Sequence, residues 1–391
     1  MSGNRRNAMR YSMGRLLLAA VAVPGLVLAF VPAGCTSGDG PPDGLVRVYR
    51  SAAPVESPGV TPSPSRDPLA GASPDDGPAE VVIDRVPTAR PDRWRAFVSI
   101  LRGCNSFCTY CIVPHVRGRE TSRPADEIES EVRDLVADGC AEITLLGQNV
   151  DAYRHVDTDL AALLRRLDHA VPTLRRLRFI TSHPKDISPR LLDTIAELPS
   201  VCEHLHMPAQ SGSTRILQAM NRSYTADRYR EIVDGARDAV PNIEIASDFI
   251  VGFPGETDAD FQATVDLVRH CEFNQAFIFK YSPREGTRAA ERMTDDVPMA
   301  VKAERNQVLL AVQEEISIRR NRAKHGSTVE VMVEGPSKRD RARLFGRTRG
   351  YDIVVFPRPE GAEPEPGSVV RVRITDSTAL TLFGEPEATS A

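Results

Sequence analysis

The sequence predicts an α/β protein built on a parallel sheet and followed by a small all-β barrel. Three observations carry this expectation. From Phe97 to Lys280, short apolar runs alternate with amphipathic stretches, the pattern of repeated βα units. The turns that follow those runs hold most of the unusual glycine and polar residues. From Thr328 onward, five short β-type runs are separated by Gly and Pro turns.

Two segments precede this fold. Arg5, Arg6, Arg10 and Arg15 stand before an apolar run, Leu16 to Val31, with Ala33-Gly-Cys35 just beyond it. That order is similar to a secretory signal ending in a lipoprotein-type cleavage site. Pro32 departs from that pattern, and Pro24 and Gly25 break the run, which is short for a membrane span. We read residues 1–35 as a signal-like apolar segment or a misassigned start. Between Pro41 and Pro78 there are nine prolines among Gly, Ser and Asp. Such a composition buries too little apolar area to offset its ordering entropy, so residues 36–80 are expected to be a disordered linker.

The catalytic half follows. Strands are expected at 97–102, 142–147, 177–181, 203–207, 244–251 and 274–280, with helices at 124–137, 159–169, 189–198, 226–239 and 258–270. Ile128, Val132, Leu135 and Val136 recur at helical spacing in the first helix. Strands joined by helices pair in parallel, in a doubly wound sheet or a barrel, and either places a site at the carboxyl ends of the strands. Six polar turns lie at those ends: the segment after 102, Gly147-Gln-Asn149, Thr181-Ser-His-Pro184, Pro208 to Ser213, Gly252 to Glu256 and Tyr281 to Thr287. Each also has a local reading: Gly255 permits a tight turn, Ser213 caps a helix, and Asp248 is a satisfied buried carboxylate.

The first turn carries the most specific chemistry. Cys104, Cys108 and Cys111 are separated by three and two residues, with Tyr110 before the last. Three thiolates hold three irons of a four-iron cluster and leave the fourth open to a substrate or cofactor. The alternative, a structural zinc site, needs a fourth ligand, for which His115 is the nearest candidate. Cys35, Cys140, Cys202 and Cys271 are scattered singly and suggest no disulfide framework, which points to a reducing cytoplasm. The net charge of −4 gives no basis for inferring a nucleic-acid partner from the whole chain, so one has to be sought in local patches.

A long helix is expected at 301–324, then β runs at 328–334, 343–348, 352–356, 368–374 and 379–382. Lys338, Arg339, Arg341, Arg343, Arg347 and Arg349 fall within twelve residues, beside Phe345 and Tyr351. Such a patch either neutralises phosphates or serves as a solvated edge that resists aggregation.

At this level of detail a family resemblance becomes specific. Cys104-Asn-Ser-Phe-Cys-Thr-Tyr-Cys-Ile-Val-Pro114 and Arg117-Gly-Arg-Glu-Thr-Ser-Arg-Pro124 open the series, and Leu146-Gly-Gln-Asn-Val-Asp-Ala-Tyr153 follows. His206-Met-Pro-Ala-Gln-Ser-Gly-Ser213, Met220-Asn-Arg-Ser-Tyr-Thr225, Asp248-Phe-Ile-Val-Gly-Phe-Pro-Gly-Glu-Thr257 and Lys280-Tyr-Ser-Pro-Arg-Glu-Gly-Thr287 complete it. Together they resemble the radical S-adenosylmethionine (SAM) methylthiotransferases, from about Val81 to Pro386. The run Val333-Glu-Gly-Pro-Ser-Lys-Arg-Asp340 with Gly346-Arg-Thr348 is similar to the tRNA-binding TRAM domain that ends this family.

The resemblance implies a partial (β/α)6 radical SAM barrel over residues 81–324 and a TRAM barrel over 325–387. It implies a 4Fe-4S cluster on Cys104, Cys108 and Cys111, with SAM across the strand ends near Gly147, Gln148, Gln210 and Gly252, flanked by Tyr110, Asn149 and Ser211. It implies methylthiolation at C2 of N6-isopentenyladenosine beside the anticodon of tRNA; threonylcarbamoyladenosine in tRNA or a ribosomal-protein aspartate is the alternative target. Implied partners are tRNA, a flavodoxin- or ferredoxin-type electron donor and a sulfur donor, with a monomeric enzyme and no firm membrane partner. The family also begins with a domain whose three further cysteines hold a second cluster. No such triad stands here, and its loss, its supply by another chain and a misjoined start are the competing explanations.

Overall fold

The computed structural model describes residues 90, 92–359 and 363–387. The expectations for residues 1–35 and 36–80 lie outside the described residues.

Six strands form the α/β part: β1 (Arg95–Ser99), β2 (Glu142–Leu146), β3 (Arg176–Phe179), β4 (His204–His206), β5 (Glu244–Val251) and β6 (Gln275–Lys280). The pairs β1–β2, β2–β3, β4–β5 and β5–β6 are all parallel, with Arg95 opposite Glu142, Glu142 opposite Arg176, and His204 opposite Glu244. The two three-stranded sheets are stitched by a parallel bridge between Leu177 and Val201 and by the Ser182 N–H donating to the His206 carbonyl at 3.0 Å. Strand order therefore follows chain order, as expected when each strand returns through a helix. Those crossovers include α2 (Ala125–Ala137), α3 (Leu160–Ala170), α4 (Pro189–Glu197), α6 (Ala226–Ala239) and α7 (Asp258–Cys271). Strands covered on both faces are rich in apolar residues, and Val98, Ile143, Leu145, Leu177, Leu205 and Phe249 are fully buried in one shared core.

Helix starts follow their caps. Asp159, Ser188, Ser213, Thr225 and Thr257 each accept a hydrogen bond from an N–H of the following first turn. The first strand differs from expectation. It ends at Ser99, and Leu101–Arg102 turns aside to pair antiparallel with Thr121–Ser122. This clip closes the neck of the cysteine loop. A short helix α1 (Val113–Arg117) lies within that loop.

The long helix α8 (Met299–Ala323) leads to five strands: β7 (Thr328–Pro336), β8 (Arg343–Arg347), β9 (Ile353–Pro357), β10 (Val369–Ser377) and β11 (Leu382–Pro386). They close in the order β7-β8-β9-β11-β10 around Val331, Val333, Leu344, Val354, Phe356, Val372, Ile374 and Leu382. The last strand begins three residues later than expected, because Thr378 and Thr381 form a turn closed by a 2.8 Å backbone hydrogen bond. Gly384 then fits where a Cβ would lie 2.3 Å from the Arg373 carbonyl.

The small barrel sits at the amino-terminal mouth of the six strands. Arg178 donates to Glu142 at 2.8 Å and to the carbonyls of Arg349 (2.7 Å) and Thr348 (2.9 Å). Arg176, fully buried, donates to the Arg347 carbonyl at 2.8 Å. Arg349 grips Glu203 with two nitrogens at 2.7 and 2.8 Å, Lys324 bridges Glu244 and Asp352, and Asn274 reaches the Gly350 carbonyl. Tyr351, with φ +78°, is stacked on His204 at 5.1 Å and flanked by the guanidiniums of Arg178 and Arg347.

Candidate active site

The opposite rim, where the strands end, gathers the residues singled out by the sequence. The cysteine loop leaves β1 through Gly103, whose φ is +81° and whose Cβ, if present, would lie 2.0 Å from the Arg119 carbonyl oxygen. Only glycine fits there. Cys104 N–H donates to the Gly118 carbonyl at 3.2 Å, and Asn105 and Glu120 exchange three hydrogen bonds of 3.0 to 3.3 Å across the loop. The loop is thus fixed by its own backbone and by one polar pair.

Its inner side is held by helix α5 (Thr214–Ala219). Asn221 ends that helix in the left-handed region, at φ +57°, and its amide donates to the Phe107 and Ser106 carbonyls. Thr109 donates both its N–H and its hydroxyl, each at 3.0 Å, to the carbonyls of Met220 and Ala219. Arg222, 8% exposed, donates from Nη1 to Cys108 Sγ at 3.5 Å, from Nη2 to the Pro208 carbonyl at 2.8 Å and from Nε to Tyr224 at 2.8 Å. Cys108 is buried, while Cys104 and Cys111 are half-buried. Burial raises the Cys111 thiol; the Val113 N–H offsets part of this, and negative charge on Cys108 and Cys104 raises it further.

The donor set fits an iron–sulfur cluster. Thiolates are soft ligands that suit it. Among the described residues no three His, Cys, Asp or Glu side chains stand close enough to share a single metal ion. His115 is exposed and its ring faces Phe107 at 6.4 Å, so the zinc alternative finds no fourth ligand in it. Arg222 adds a second sign: a buried guanidinium with no carboxylate partner among the described residues calls for an anion, and a thiolate-ligated cluster supplies one.

The residues expected near SAM divide in two. Gly147 and Gln148 abut the cysteine loop: Gln148 Oε1 accepts the Gly103 N–H at 2.6 Å, and a Cβ on Gly147 would lie 3.3 Å from Leu101. Gln210 is held at φ +69° by backbone bonds to Asp248 and Ile250 on β5, and Gly252 at φ +69° has its N–H taken by Glu256 at 2.9 Å. Glu256 in turn pairs with buried Arg305 at 2.8 Å. Ser211 is buried and accepts from the Ser213 N–H at 3.1 Å, while Ser213 caps α5, as its local reading had it. Tyr110 packs edge-on against Phe253, with ring centres 6.5 Å apart, in a small apolar cluster behind the loop.

Asn149 opens a polar group that the sequence did not reveal. Its amide donates to Asp186 at 2.7 Å while its buried Oδ1 has no partner. Beside it, Asp151 accepts from the Ser182 hydroxyl at 3.0 Å, its Oδ2 is buried and unpartnered, and burial pushes its carboxyl up to about 7. Thr181 stands at φ +73° with a buried, unpartnered hydroxyl. Orphaned oxygens and a strained β-branched residue are costly and collect at functional rims. Arg222, Asp151 and Thr181 lie inside turns or motifs the sequence marked, but nothing in their types assigned them a role.

The six cations of the terminal domain separate as well. Lys338, Arg339, Arg341 and Arg343 are exposed on the β7–β8 hairpin. Arg347 and Arg349 are not part of that surface: Arg347 pairs with Glu334, and Arg349 with Glu203 at the mouth of the strands. Of the six cations expected to face phosphate, four are exposed and two are paired with carboxylates.

Residues 98–268 match the radical SAM superfamily and residues 322–386 the TRAM domain. The class defined by fold and site is therefore a radical SAM protein with a terminal TRAM barrel. The chain is 49% identical over 307 residues to the tRNA-2-methylthio-N(6)-dimethylallyladenosine synthase of Moorella thermoacetica, covering 78% of this chain and 68% of that protein. Proteins of the same name from Desulfitobacterium hafniense and Rhodopirellula baltica are each 48% identical, covering 77% of this chain and 67% and 64% of their own lengths. The chain belongs to the tRNA-2-methylthio-N(6)-dimethylallyladenosine synthase family, and it spans about two thirds of the length of these relatives.

Proposed function

We propose that this chain is a cytoplasmic radical SAM methylthiotransferase that modifies C2 of N6-isopentenyladenosine beside the anticodon of tRNA. The observation that carries it is the placement of Cys104, Cys108 and Cys111 in one loop at the strand ends, with the guanidinium of Arg222, which has no carboxylate partner among the described residues, on Cys108 Sγ at 3.5 Å. When bound, a 4Fe-4S cluster and SAM supply a radical able to take hydrogen from an unactivated carbon.

The chain's own residues bind and orient. The three thiols hold the cluster, and Gly147, Gln148, Gln210 and Gly252 form a floor of backbone and amide groups for SAM. Asn149, Ser211 and Tyr110 support that floor from behind. Lys338, Arg339, Arg341 and Arg343 neutralise phosphates of the anticodon arm, whose unstacked bases are the usual target of single-strand recognition. Among the described residues the remaining cysteines, Cys140, Cys202 and Cys271, are buried singly. Burial pushes Cys140 up to about 11 and Cys271 up to about 12, so these thiols stay protonated. The sulfur accordingly comes from a donor outside the described residues, and the electron from a flavodoxin- or ferredoxin-type protein. The enzyme acts as a monomer. No helix among the described residues is long and apolar enough to cross a membrane.

Mass spectrometry of tRNA nucleosides tests this, in a strain that lacks its own methylthiotransferase and expresses the full chain. The 2-methylthio-isopentenyladenosine peak is expected with the native protein and absent with Cys108→Ala. Unmodified isopentenyladenosine beside an iron-loaded native protein favours an RNA-binding core without sulfur insertion. A methylthiolated threonylcarbamoyladenosine or ribosomal-protein aspartate would instead redirect the target.

A further inference from the structure

Arg222 is delivered to the cysteine loop together with Asn221. Helix α5 stops because Asn221 turns left-handed, and the Arg222 N–H then closes back on the Leu217 carbonyl at 2.8 Å. The two side chains grasp the same loop differently: Asn221 takes backbone carbonyls of Ser106 and Phe107, whereas Arg222 takes the sulfur of Cys108. Every nitrogen of the guanidinium is committed, to Tyr224, to the Pro208 carbonyl and to the sulfur, and two of those three acceptors are neutral. Its stem cannot swing out to water, since the residue is 8% exposed and Tyr224 lies beneath it, 5.0 Å from the guanidinium carbon to the ring centre.

A fixed cation at this position does more than pack. Reducing a cluster adds one electron and therefore one negative charge, with no bond made or broken. A buried positive charge in a low-dielectric pocket favours that added charge, and a hydrogen bond to a ligand sulfur acts in the same direction. We propose that Arg222 is a positioning residue that poises the cluster for reduction, through its N–H to Cys108 Sγ and its uncompensated charge. This rests on the reading of Cys104, Cys108 and Cys111 as the cluster ligands. A cluster that must accept an electron from a low-potential protein donor is helped by such a charge where its ligands are themselves anionic thiolates.

The test is a redox titration of the reconstituted full chain under anaerobic conditions, with dithionite as the one-electron reductant and the reduced cluster followed by electron paramagnetic resonance. Arg222→Gln is expected to lower the ratio of reduced to oxidised cluster about tenfold at a fixed potential, equal to about 59 mV for a one-electron couple. Arg222→Lys, which keeps the charge and loses the fork, is expected to recover most of that loss. A residue that only packs would change iron loading or melting temperature and leave the midpoint where it was. An Arg222→Gln protein with full iron and a ratio within twofold of the native one overturns the inference alone.

Where that variant fails to fold or to hold iron, the native protein decides. With arginine labelled in 15N, pulsed resonance of the reduced cluster should show a nitrogen coupling from the guanidinium, and its absence overturns the proposal. A native protein that takes up no iron overturns the reading of the three cysteines, and the inference with it.

Discussion

The two ends of the six-stranded part are built on opposite principles. At the mouth, where the strands begin, charge is matched by charge: Glu142 with Arg178, Glu203 with Arg349, and Glu244 with Lys324 and Arg320. Burial works against the Glu142 carboxylate, but the Arg178 and Arg176 guanidiniums outweigh it and hold the group below its usual range. The atoms left without partners there are guanidinium Nε atoms and one imidazole nitrogen, on side chains otherwise bonded or stacked. At the rim, the unpartnered atoms include the oxygens of Asn149, Asp151, Thr181 and Ser106, beside the Nε atoms of Arg123 and Arg305, and the Arg222 guanidinium donates to a sulfur. One end is a closed joint; the other is a set of groups waiting for something to bind.

The strongest way to break this contrast is at Arg178. Replacing it with Met leaves Glu142 charged and buried and strips the carbonyls of Thr348 and Arg349 of their donor. Removing one member of a buried pair costs about 3–5 kcal/mol. The melting temperature by calorimetry is expected to fall by roughly 10 °C, while iron per protein chain stays at the native level. Iron lost in step with stability would show that the two ends are one cooperative unit, and the contrast would fail.

A smaller effect belongs to the rim. Asp151 titrates at about 7 in the folded protein because burial disfavours its charge, against an ordinary value near 4 in the unfolded chain. The folded state thus holds a proton that the unfolded state releases. Its stabilising contribution is complete below pH 4 and is lost as pH rises through 7. Denaturant unfolding at pH 5 and pH 8 should show Asp151→Asn flattening this decline, by about 3 kcal/mol between the two. Equal declines in both proteins would mean that the carboxyl is hydrated and the rim less closed than its geometry shows.

How far the sequence revealed each end also differs. Strand β5 and helix α6 fall within the expected bounds because burial on both faces, or on one stripe, writes a period into the sequence. The cysteine loop was legible because three thiols at fixed spacing have few uses. The mouth was not legible: Arg347 and Arg349 share a basic run with Arg343, and only the fold brings Glu334, on the paired strand β7, and Glu203, 146 positions away, against them. Arg222 was hidden for a similar reason, since its meaning lies in a sulfur 114 positions away in the chain. Residues that act through local pattern can be read from the sequence, whereas those that act through long-range pairing appear only once the fold brings the pair together.

The same basic run supplies the finest test. Arg343 is exposed on the hairpin and its nearest acid is Asp340 at 3.6 Å, so it is free to meet phosphate. Arg349 is spent on Glu203. Plotting the affinity of an anticodon-arm RNA against salt concentration should therefore separate them. Arg343→Ala is expected to reduce the slope by about 1 and to weaken binding evenly across RNA sequences, as the loss of one phosphate contact does. Arg349→Ala is expected to leave the slope unchanged while lowering the melting temperature, because it opens the joint and not the RNA surface. A slope that falls equally in both would return Arg349 to the RNA-binding set. It would also mean that the barrel leaves the mouth of the strands when RNA arrives.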